Sequence, residues 1–364
     1  MVSIIGAGPV GNYLGYLLAR DGFNAKIFEE HKTIGKPVQC TGIMTFYLSS
    51  ILKNINAGED FVVNNINETA VYSPDGNSVD IKLKRNYIVD RASFDAYLGE
   101  LAASEGAEII YVKRFVDLKQ NNGAVKLAFN ANSFHEDDFL VGADGPFSQV
   151  AKSVGIYGDR KFALGIQARM KMNEKIDPNV VEFFLGEGYF GWLVPEDERI
   201  ARVGTASNDR AKYYFDNLKK IRDGEILEWQ SGPIPVYNPK LRTEKNKVFL
   251  VGDAATHVKA TTYGGIIPGM MASEELFSAI KYGKNYQKLW KRRIGKELLL
   301  HLLMRKILDK FSNKDYNKLI SMVNKESVKN IISEHDREFP SKIVAKLLIK
   351  EPRFLGYLKY LLPI

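Results

Sequence analysis

The stretch VSIIGAGPVGNYLGYLLARDGFNAKIFEE, residues 2–30, decides the predicted fold. It places an apolar strand before the turn that holds Gly6, Gly8 and Gly11, then a helix and a second strand that ends at Glu29. Glycines at this spacing let a pyrophosphate approach the N-terminus of the helix, and the acid eighteen residues past Gly11 can bind a ribose diol. The stretch therefore predicts a dinucleotide-binding βαβ unit, with Glu29 as the ribose ligand and Glu30 as the fallback.

A second informative stretch is VFLVGDAATHVKATTYGGII, residues 248–267. Asp253 follows an apolar strand, where an acid can accept hydrogen bonds from the hydroxyls of a ribityl chain. Gly264 and Gly265 precede a helical pattern, so backbone N–H groups and the positive end of the helix dipole are open to the pyrimidine edge of a flavin. The two stretches together predict one FAD site built from both ends of a domain.

Composition places the 364-residue chain among ordinary globular proteins, with 45% hydrophobic and 26% charged residues. The sole cysteine, Cys40, excludes an internal disulfide framework, and the five scattered histidines give no metal-site spacing. The first strand begins at residue 2, so we expect no leader peptide and a cytoplasmic protein, soluble or peripherally bound to a membrane.

Apolar runs at 162–170, 180–185, 189–194 and 200–206 predict an antiparallel sheet. We expect a hairpin near residues 69–83, a turn at 121–123 and mostly helix after residue 271. The predicted class is α/β, with a Rossmann-like FAD-binding domain interleaved with an antiparallel substrate domain. The predicted segments are 1–159 (FAD-binding, with an inserted hairpin), 160–240 (substrate-binding), 241–282 (return to the FAD-binding domain) and 283–364 (basic and helical).

Six motifs in this order resemble a known family. The two stretches above, with Asp90-Arg91 and Gly142-Ala143-Asp144-Gly145, are similar to the flavoprotein superfamily that includes p-hydroxybenzoate hydroxylase. The loop at 35–42, GKPVQCTG, and the strand at 188–195, GYFGWLVP, resemble the geranylgeranyl reductase branch in particular. The resemblance covers essentially residues 2–300.

The resemblance implies FAD as the cofactor and assigns roles residue by residue. It places Tyr189, Trp192 and Tyr263 at the substrate, although aromatic residues in a strand are as often ordinary core. Cys40 is a candidate proton donor at the flavin face, or else a small residue that lets its loop approach FAD. The residues implied to bind FAD are Gly6, Gly8, Gly11, Glu29, Cys40, Thr41, Gly42, Arg91, Asp144, Gly145, Asp253, Gly264, Gly265 and Ile266.

The implied reaction saturates C=C bonds of geranylgeranyl or other polyprenyl chains, such as those of archaeal-type ether-lipid precursors. Hydride comes from reduced flavin and a proton completes the bond, with NAD(P)H or ferredoxin as the electron donor. Two alternatives remain: an FAD-dependent aromatic monooxygenase, and a lipid-binding flavoprotein whose cleft is disabled. Tyr263 keeps the second alternative open, because the family pattern has glycine there and proline at the position of Ala260.

Two further features carry smaller predictions. His257 is read as a loop histidine satisfied by backbone groups, with an acid/base role as the alternative. Residues 281–364 hold 20 Lys/Arg and 8 Asp/Glu, and basic residues alternate there with leucines at helical spacing. Such a helix can lie on an anionic membrane, or its apolar stripe can pack on the protein body. Nucleic-acid binding is not expected, since no nucleic-acid fold is recognised.

Overall fold

The computed structural model of the protein describes residues 1–121 and 124–362, so the predicted turn at 121–123 lies partly outside the described residues. The strands, β1 to β17 in chain order, are Val2–Ile5, Ala25–Phe28, Ile43–Met44, Val62–Tyr72, Ser78–Val89, Glu108–Ile110, Phe115–Asn121, Ala124–Phe129, Ser133–Asp137, Phe139–Gly142, Phe162–Met172, Val180–Gly186, Tyr189–Pro195, Ile200–Ser207, Gly224–Pro235, Glu244–Lys245 and Val248–Leu250.

The α-helices, α1 to α11 in chain order, are Pro9–Arg20, Tyr47–Asn54, Arg91–Ser104, Gln149–Ser153, Ala211–Ile221, Ile266–Tyr282, Tyr286–Trp290, Lys296–Leu308, Asn313–Val323, Glu326–Ser333 and Ser341–Lys350. Short 3₁₀ segments also form, among them Gly252–Ala255 and Pro352–Leu361. None of the helices in the described ranges combines the length and apolar character needed to cross a membrane.

One compact unit comprises residues 1–38, 91–161 and 235–299. Its six-stranded sheet has the order β16-β17-β10-β1-β2-β6, and every pairing is parallel except that of β16 with β17. Helix α1 lies close to the sheet because Gly15 leaves room for Ile27, whose Cδ1 would be 2.5 Å from a Cβ at that position. The parallel strands bring their carboxyl ends to one edge, where ligands bind in folds of this kind.

A three-stranded sheet, β7-β8-β9, belongs to the same unit and packs on the parallel sheet. Phe28 of β2 stacks on Phe129 of β8 with ring centroids 4.5 Å apart, inside a core shared by both sheets. The segment between β6 and β7 is not a strand, and Val112 within it has a positive φ of 59°. The chain between β6 and β7 therefore turns along the carboxyl edge of the parallel sheet.

The second compact unit comprises residues 39–90, 162–234 and 300–364. Its eight-stranded sheet has the order β15-β11-β14-β13-β12-β4-β5-β3. The predicted runs at 162–206 form the antiparallel neighbours β11, β14, β13 and β12, and helix α5 covers a core around Phe215 and Leu218.

The predicted hairpin is longer than expected, spanning β4 and β5, and β4 pairs with β12 in parallel. The sheet is therefore mixed rather than purely antiparallel. Residues 39–90, which the predicted segments assign to the FAD-binding part, group here with the strands of 162–234. The α/β class with a Rossmann-like sheet, a second sheet and C-terminal helices is confirmed.

Candidate FAD site

Two of the three glycines in the turn after β1 lie against other backbone atoms, and the third faces open space. A Cβ at Gly6, whose φ is +103°, would lie 2.5 Å from the Ala143 carbonyl oxygen, and a Cβ at Gly11 would overlap the Gly6 carbonyl oxygen. By contrast, a Cβ at Gly8 would meet no heavy atom of the described chain within 4 Å. Gly8 is also the N-cap of α1, and it has no side chain that could accept hydrogen bonds from the first N–H groups of the helix. The first and third glycines thus serve packing, and the second leaves open space in front of unpaired helix N–H groups.

Glu29 lies at the carboxyl end of β2 with its carboxylate fixed by three donors. The Ala7 N–H donates to Oε2 at 2.8 Å, while the N–H of His31 donates to Oε1 at 2.9 Å. The His31 Nδ1 also lies 2.6 Å from Oε1. The Glu29 side chain is nearly buried, whereas Glu30 is exposed. This carboxylate is therefore held beside the glycine turn, as binding of a ribose diol requires.

Between the glycine turn and Glu29 lies a cavity of about 630 Å³. Sequence reasoning missed Lys113 and Arg114, which add positive charge to this cavity from the chain between β6 and β7. Two adjacent basic residues between β6 and β7 were a signal in the sequence, although no known motif includes them. The cavity is lined by Ile5, Gly6, Gly8, Phe28, Glu29, Glu30, Lys113, Arg114, Phe115, Val116, Ala143, Asp144, Phe147 and Gln149.

Asp144 shapes the wall of this cavity by holding its own loop. Its carboxylate accepts the Ser148 hydroxyl at 2.6 Å and the Val150 N–H at 3.0 Å, next to the start of α4. Burial raises the pKa of the Asp144 carboxyl, and the hydrogen bond from Ser148 opposes that rise. Gly145 follows with a φ of +74°, a backbone conformation that glycine favours. Asp144 thus lines the cavity, and the contact of both residues with FAD stays a prediction.

Asp253 follows β17, at the same carboxyl edge as the glycine turn. Its Oδ1 would be 2.7 Å from a Cβ at Gly265, so the carboxylate lies against the start of α6. Burial raises the pKa of Asp253 to about 6, and the Arg91 guanidinium opposes that rise. Arg91 is the first residue of α3 and donates to the Asp95 carboxylate, with Nε–Oδ1 and Nη2–Oδ2 distances of 2.9 and 2.7 Å.

The loop between Asp253 and α6 closes on itself. The Lys259 N–H donates to the Gly264 carbonyl at 3.1 Å, and the Tyr263 N–H donates to the Lys259 carbonyl at 2.8 Å. Tyr263 has a φ of +57°, so it adopts the left-handed conformation that the glycine of the family pattern favours. Gly264 and Gly265 then lead into α6, which begins at Ile266. A bulky side chain thus occupies a backbone conformation that glycine adopts with less strain.

His257 is fully buried in this unit, and the prediction that backbone groups satisfy its ring is wrong. Both ring nitrogens lack a hydrogen-bond partner within the described chain, and the ring packs against Trp290 with centroids 4.5 Å apart. Burial lowers the pKa of His257 to about 3, so the imidazole is neutral at ordinary pH. A ring held neutral in an apolar contact favours packing over acid/base chemistry.

The predicted cysteine loop belongs to the other unit. The Gly42 N–H donates to the Cys40 sulfur at 3.4 Å, and the Gly42 carbonyl accepts the Val89 N–H at 3.0 Å. The Arg202 Nη1 donates to the Thr41 carbonyl at 2.7 Å. Residues 40–42 are thereby fixed against the end of β5 and against β14.

Tyr189 and Trp192, predicted to line one cleft, lie on opposite faces of β13, because residues three apart in a strand alternate in direction. Tyr189 stacks on Tyr214 of α5 at 4.6 Å. Trp192 is buried on the other face, where its Nε1 donates to the Gln167 Oε1 at 3.1 Å. One face of this sheet therefore cannot present both rings, and Tyr189 takes the ordinary core role against α5.

A parallel sheet with a glycine turn, a fixed carboxylate after β2 and a second acid at the same edge is typical of dinucleotide-binding flavoproteins. The chain belongs to the FAD binding domain family, whose model matches residues 1–217. FAD is therefore its cofactor, and the space at Gly8 and the carboxylate of Glu29 fit the dinucleotide.

Two curated archaeal relatives match the chain from end to end. A protein of Methanothrix thermoacetophila named digeranylgeranylglycerophospholipid reductase is 29% identical over 99% of this chain and 98% of its own length. A protein of the same name from Methanocaldococcus jannaschii is 28% identical, again over 99% of this chain and 98% of its own length.

Solved structures share the fold. A geranylgeranyl bacteriochlorophyll reductase-like protein from Thermoplasma acidophilum superposes with a TM-score of 0.84 at 24% identity, covering 99% of this chain and 98% of its own. The flavin-dependent brominase Bmp2 has a TM-score of 0.71 at 17% identity and is covered over 92% of each chain. At these identities the likeness shows the fold alone, and the fold serves more than one chemistry.

Proposed function

We propose that the protein is an FAD-dependent reductase that saturates C=C bonds of geranylgeranyl or related polyprenyl chains in ether-lipid precursors. The observation that carries the proposal is the end-to-end match to archaeal proteins named for reduction of such a lipid. The glycine turn and Glu29 support the cofactor half of the proposal. The loop at Cys40, similar to that of geranylgeranyl reductases, supports the substrate half.

The proposed reaction removes one π bond and forms two C–H bonds. FAD, once reduced by NAD(P)H or a ferredoxin, supplies the hydride equivalent, and a proton completes the bond. We propose Cys40 as the donor of that proton, because it is the sole thiol of the sequence and its sulfur lies in a fixed loop. Asp253, Gly264 and Gly265 are proposed to hold the flavin, and Trp192 is retained as a substrate contact.

An anaerobic single-turnover experiment tests this proposal. Reduced holoenzyme is mixed with a geranylgeranyl glycerophospholipid, and the visible absorbance of oxidised flavin is followed. We expect the flavin to be reoxidised and the recovered lipid to carry two additional hydrogens for each bond reduced. A flavin that stays reduced with every prenyl lipid, but is rapidly reoxidised when oxygen and a phenol are added, would instead identify an aromatic monooxygenase.

Cys40→Ala and Cys40→Ser separate proton donation from packing. A positioned general acid contributes about 10²–10⁴-fold in rate, so we expect single-turnover reoxidation to slow by roughly 100-fold in both variants. FAD binding should change little, because the sulfur accepts a single weak N–H contact from Gly42. A serine variant with the wild-type rate would assign Cys40 to packing alone.

We infer that residues 341–362 contact an anionic membrane surface. Every residue of α11 is at least partly exposed, and Ile349 is 79% exposed. The following 3₁₀ segment exposes Leu355, and Leu362 is 64% exposed just beyond it. The basic residues interspersed with these side chains are Lys342, Lys346, Lys350, Arg353 and Lys359. An apolar surface with basic residues around it fits anionic lipid headgroups.

Co-sedimentation with vesicles tests this contact. We expect binding to vesicles that contain anionic phospholipid, weaker binding to purely zwitterionic vesicles, and release as salt is raised. The double variant Ile349→Gln with Leu355→Gln should lose most of the binding. Leu227→Gln, which removes a 44% exposed leucine from β15, is the matched control and should bind normally. Equal binding by all three proteins would refute the assignment.

A further inference from the structure

The loop at residues 40–42 is held by a buried guanidinium whose role the sequence does not reveal. Arg202 lies on β14, between Arg169 of β11 and Val194 of β13. Its side chain is only 7% exposed, although an arginine side chain is charged at any working pH. A charge buried to this extent needs acceptors on its N–H groups, and their positions therefore indicate what it holds in place.

Arg202 contacts three acceptors, which are the loop carbonyl of Thr41, the carbonyl of Val89 at the end of β5, and the carboxylate of Glu196. Its Nη1 donates to the Thr41 carbonyl at 2.7 Å and to the Val89 carbonyl at 2.9 Å. Its Nε donates to Glu196 Oε1 at 2.8 Å. One guanidinium therefore joins the cysteine loop, the end of β5 and the turn after β13.

Glu196 fixes the direction of this guanidinium. Burial raises the pKa of Glu196, but the hydrogen bonds and charges of Arg169 and Arg202 outweigh it and hold that pKa below its usual range. The carboxylate is therefore ionised, and it orients the Nε side of Arg202 while the Nη1 side reaches the loop. Arg169 donates to the same carboxylate from a more exposed position, with an Nε–Oε2 distance of 2.8 Å.

Gly42 is what lets the guanidinium approach. A Cβ at Gly42 would overlap both the Arg202 Nη1 and the Val89 carbonyl oxygen, and the φ of Gly42 is +70°. A side chain at this position would therefore displace Arg202 from the Thr41 carbonyl. The resemblance explains the glycine at position 42 by contact with the cofactor. The approach of Arg202 is a second reason for a glycine there, and it lies within the same unit.

We propose that Arg202 is the positioning residue of the Cys40 loop, acting through its two carbonyl contacts, with Glu196 as its orienting partner. The inference deepens the proposed function, because the Cys40 thiol is the proposed proton donor there. It predicts that the reactivity of Cys40 depends on Arg202 even when neither lipid nor reductant is present.

The sole thiol gives a single-site readout. The rate of Cys40 modification by a chromogenic aromatic disulfide is measured on oxidised holoenzyme for wild type, Arg202→Lys and Arg169→Lys. Lysine keeps the charge but cannot donate to both carbonyls and Glu196 in the same fork. Losing one charge-assisted hydrogen bond shifts a local opening equilibrium about tenfold or more, so we expect Arg202→Lys to be modified roughly tenfold faster. Arg169→Lys should stay within about twofold of wild type, since its hydrogen bonds go to Glu196 and not to the loop.

Circular dichroism and the denaturant midpoint establish that each variant is folded. If Arg202→Lys does not fold, Glu196→Gln retains Arg202 and removes the charge that orients it, and a severalfold faster modification is then expected. Wild-type rates in a folded Arg202→Lys, or in Glu196→Gln if that is the variant measured, would overturn the inference. A wild-type enzyme that reduces no prenyl lipid would overturn the proposed function and leave the thiol rates to decide the role of Arg202.

Discussion

Replacing Gly8 with alanine separates cofactor binding from folding. The backbone of Gly8 is extended, with φ −72° and ψ 176°, so alanine adopts it without strain. A Cβ there meets no heavy atom of the described chain within 4 Å. Gly8→Ala should therefore leave the stability of the apoprotein within about 1 kcal/mol of wild type, because alanine restricts the unfolded chain but caps a helix less well than glycine does.

The same methyl group should weaken FAD binding. It projects into the cavity in front of the unpaired N–H groups of α1, where the pyrophosphate is proposed to lie. Steric overlap of one methyl with a close-fitting partner costs about 1–3 kcal/mol, which corresponds to roughly 5- to 150-fold in dissociation constant. The prediction is thus an apoprotein of nearly unchanged stability that binds FAD less tightly.

Urea unfolding of the apoprotein and quenching of FAD fluorescence measure the two quantities. Gly356→Ala, in the other unit and with equally open space and no positive φ, is the matched control and should leave FAD affinity unchanged. Gly11→Ala should fail in the opposite way, by unfolding, since its Cβ would overlap the Gly6 carbonyl oxygen. Wild-type FAD affinity in Gly8→Ala would refute the placement of the pyrophosphate over this turn.

Two further predictions concern titratable groups next to α6. Because the pKa of Asp253 is raised to about 6, its folded state loses stability as pH rises through about 4 to 6. Asp253→Asn should therefore stabilise the apoprotein at pH 7 by up to about 3 kcal/mol, yet weaken FAD binding about tenfold or more, as measured by urea unfolding and fluorescence. The pKa of His257 is lowered from 6.5 to about 3 in the folded protein. As pH falls from 6.5 toward 3, the unfolded chain therefore takes up a proton that the folded protein does not, and the free energy of unfolding decreases. The free energy of unfolding of His257→Leu should rise by about 2 kcal/mol relative to wild type between pH 7.5 and pH 5. Met271→Leu is the control. A gain that does not depend on pH, or one equal to that of the control, would contradict the buried neutral ring.

The local motifs were readable from the sequence because each is fixed by short-range chemistry. The glycine turn, Glu29 and Asp253 follow strands whose apolar runs are unmistakable, and parallel strands bring their ends to one edge. The opposite faces of Tyr189 and Trp192 were also readable, since a spacing of three in a strand alternates direction.

The long-range pairings were not readable in the same way. The hairpin of β4 and β5 joins the second sheet through β12, about 110 residues later, and nothing local specifies that parallel contact. Arg202, the one charged residue of its strand, gives no signal of its own, because its role depends on the carbonyls of residues 41 and 89. Lys113 and Arg114 reach the cavity only because the chain turns after β6. These features belong to tertiary packing, which overrides local preference.

The most direct test of the central claim is the identity of the product. Reduced holoenzyme is incubated under nitrogen with a digeranylgeranyl glycerophospholipid, and the extracted lipid is analysed by mass spectrometry. The proposed function predicts that the isoprenoid chains gain hydrogen in pairs, in amounts that match the reduced flavin consumed. A lipid recovered unchanged, from an enzyme that holds FAD and accepts electrons, would contradict it.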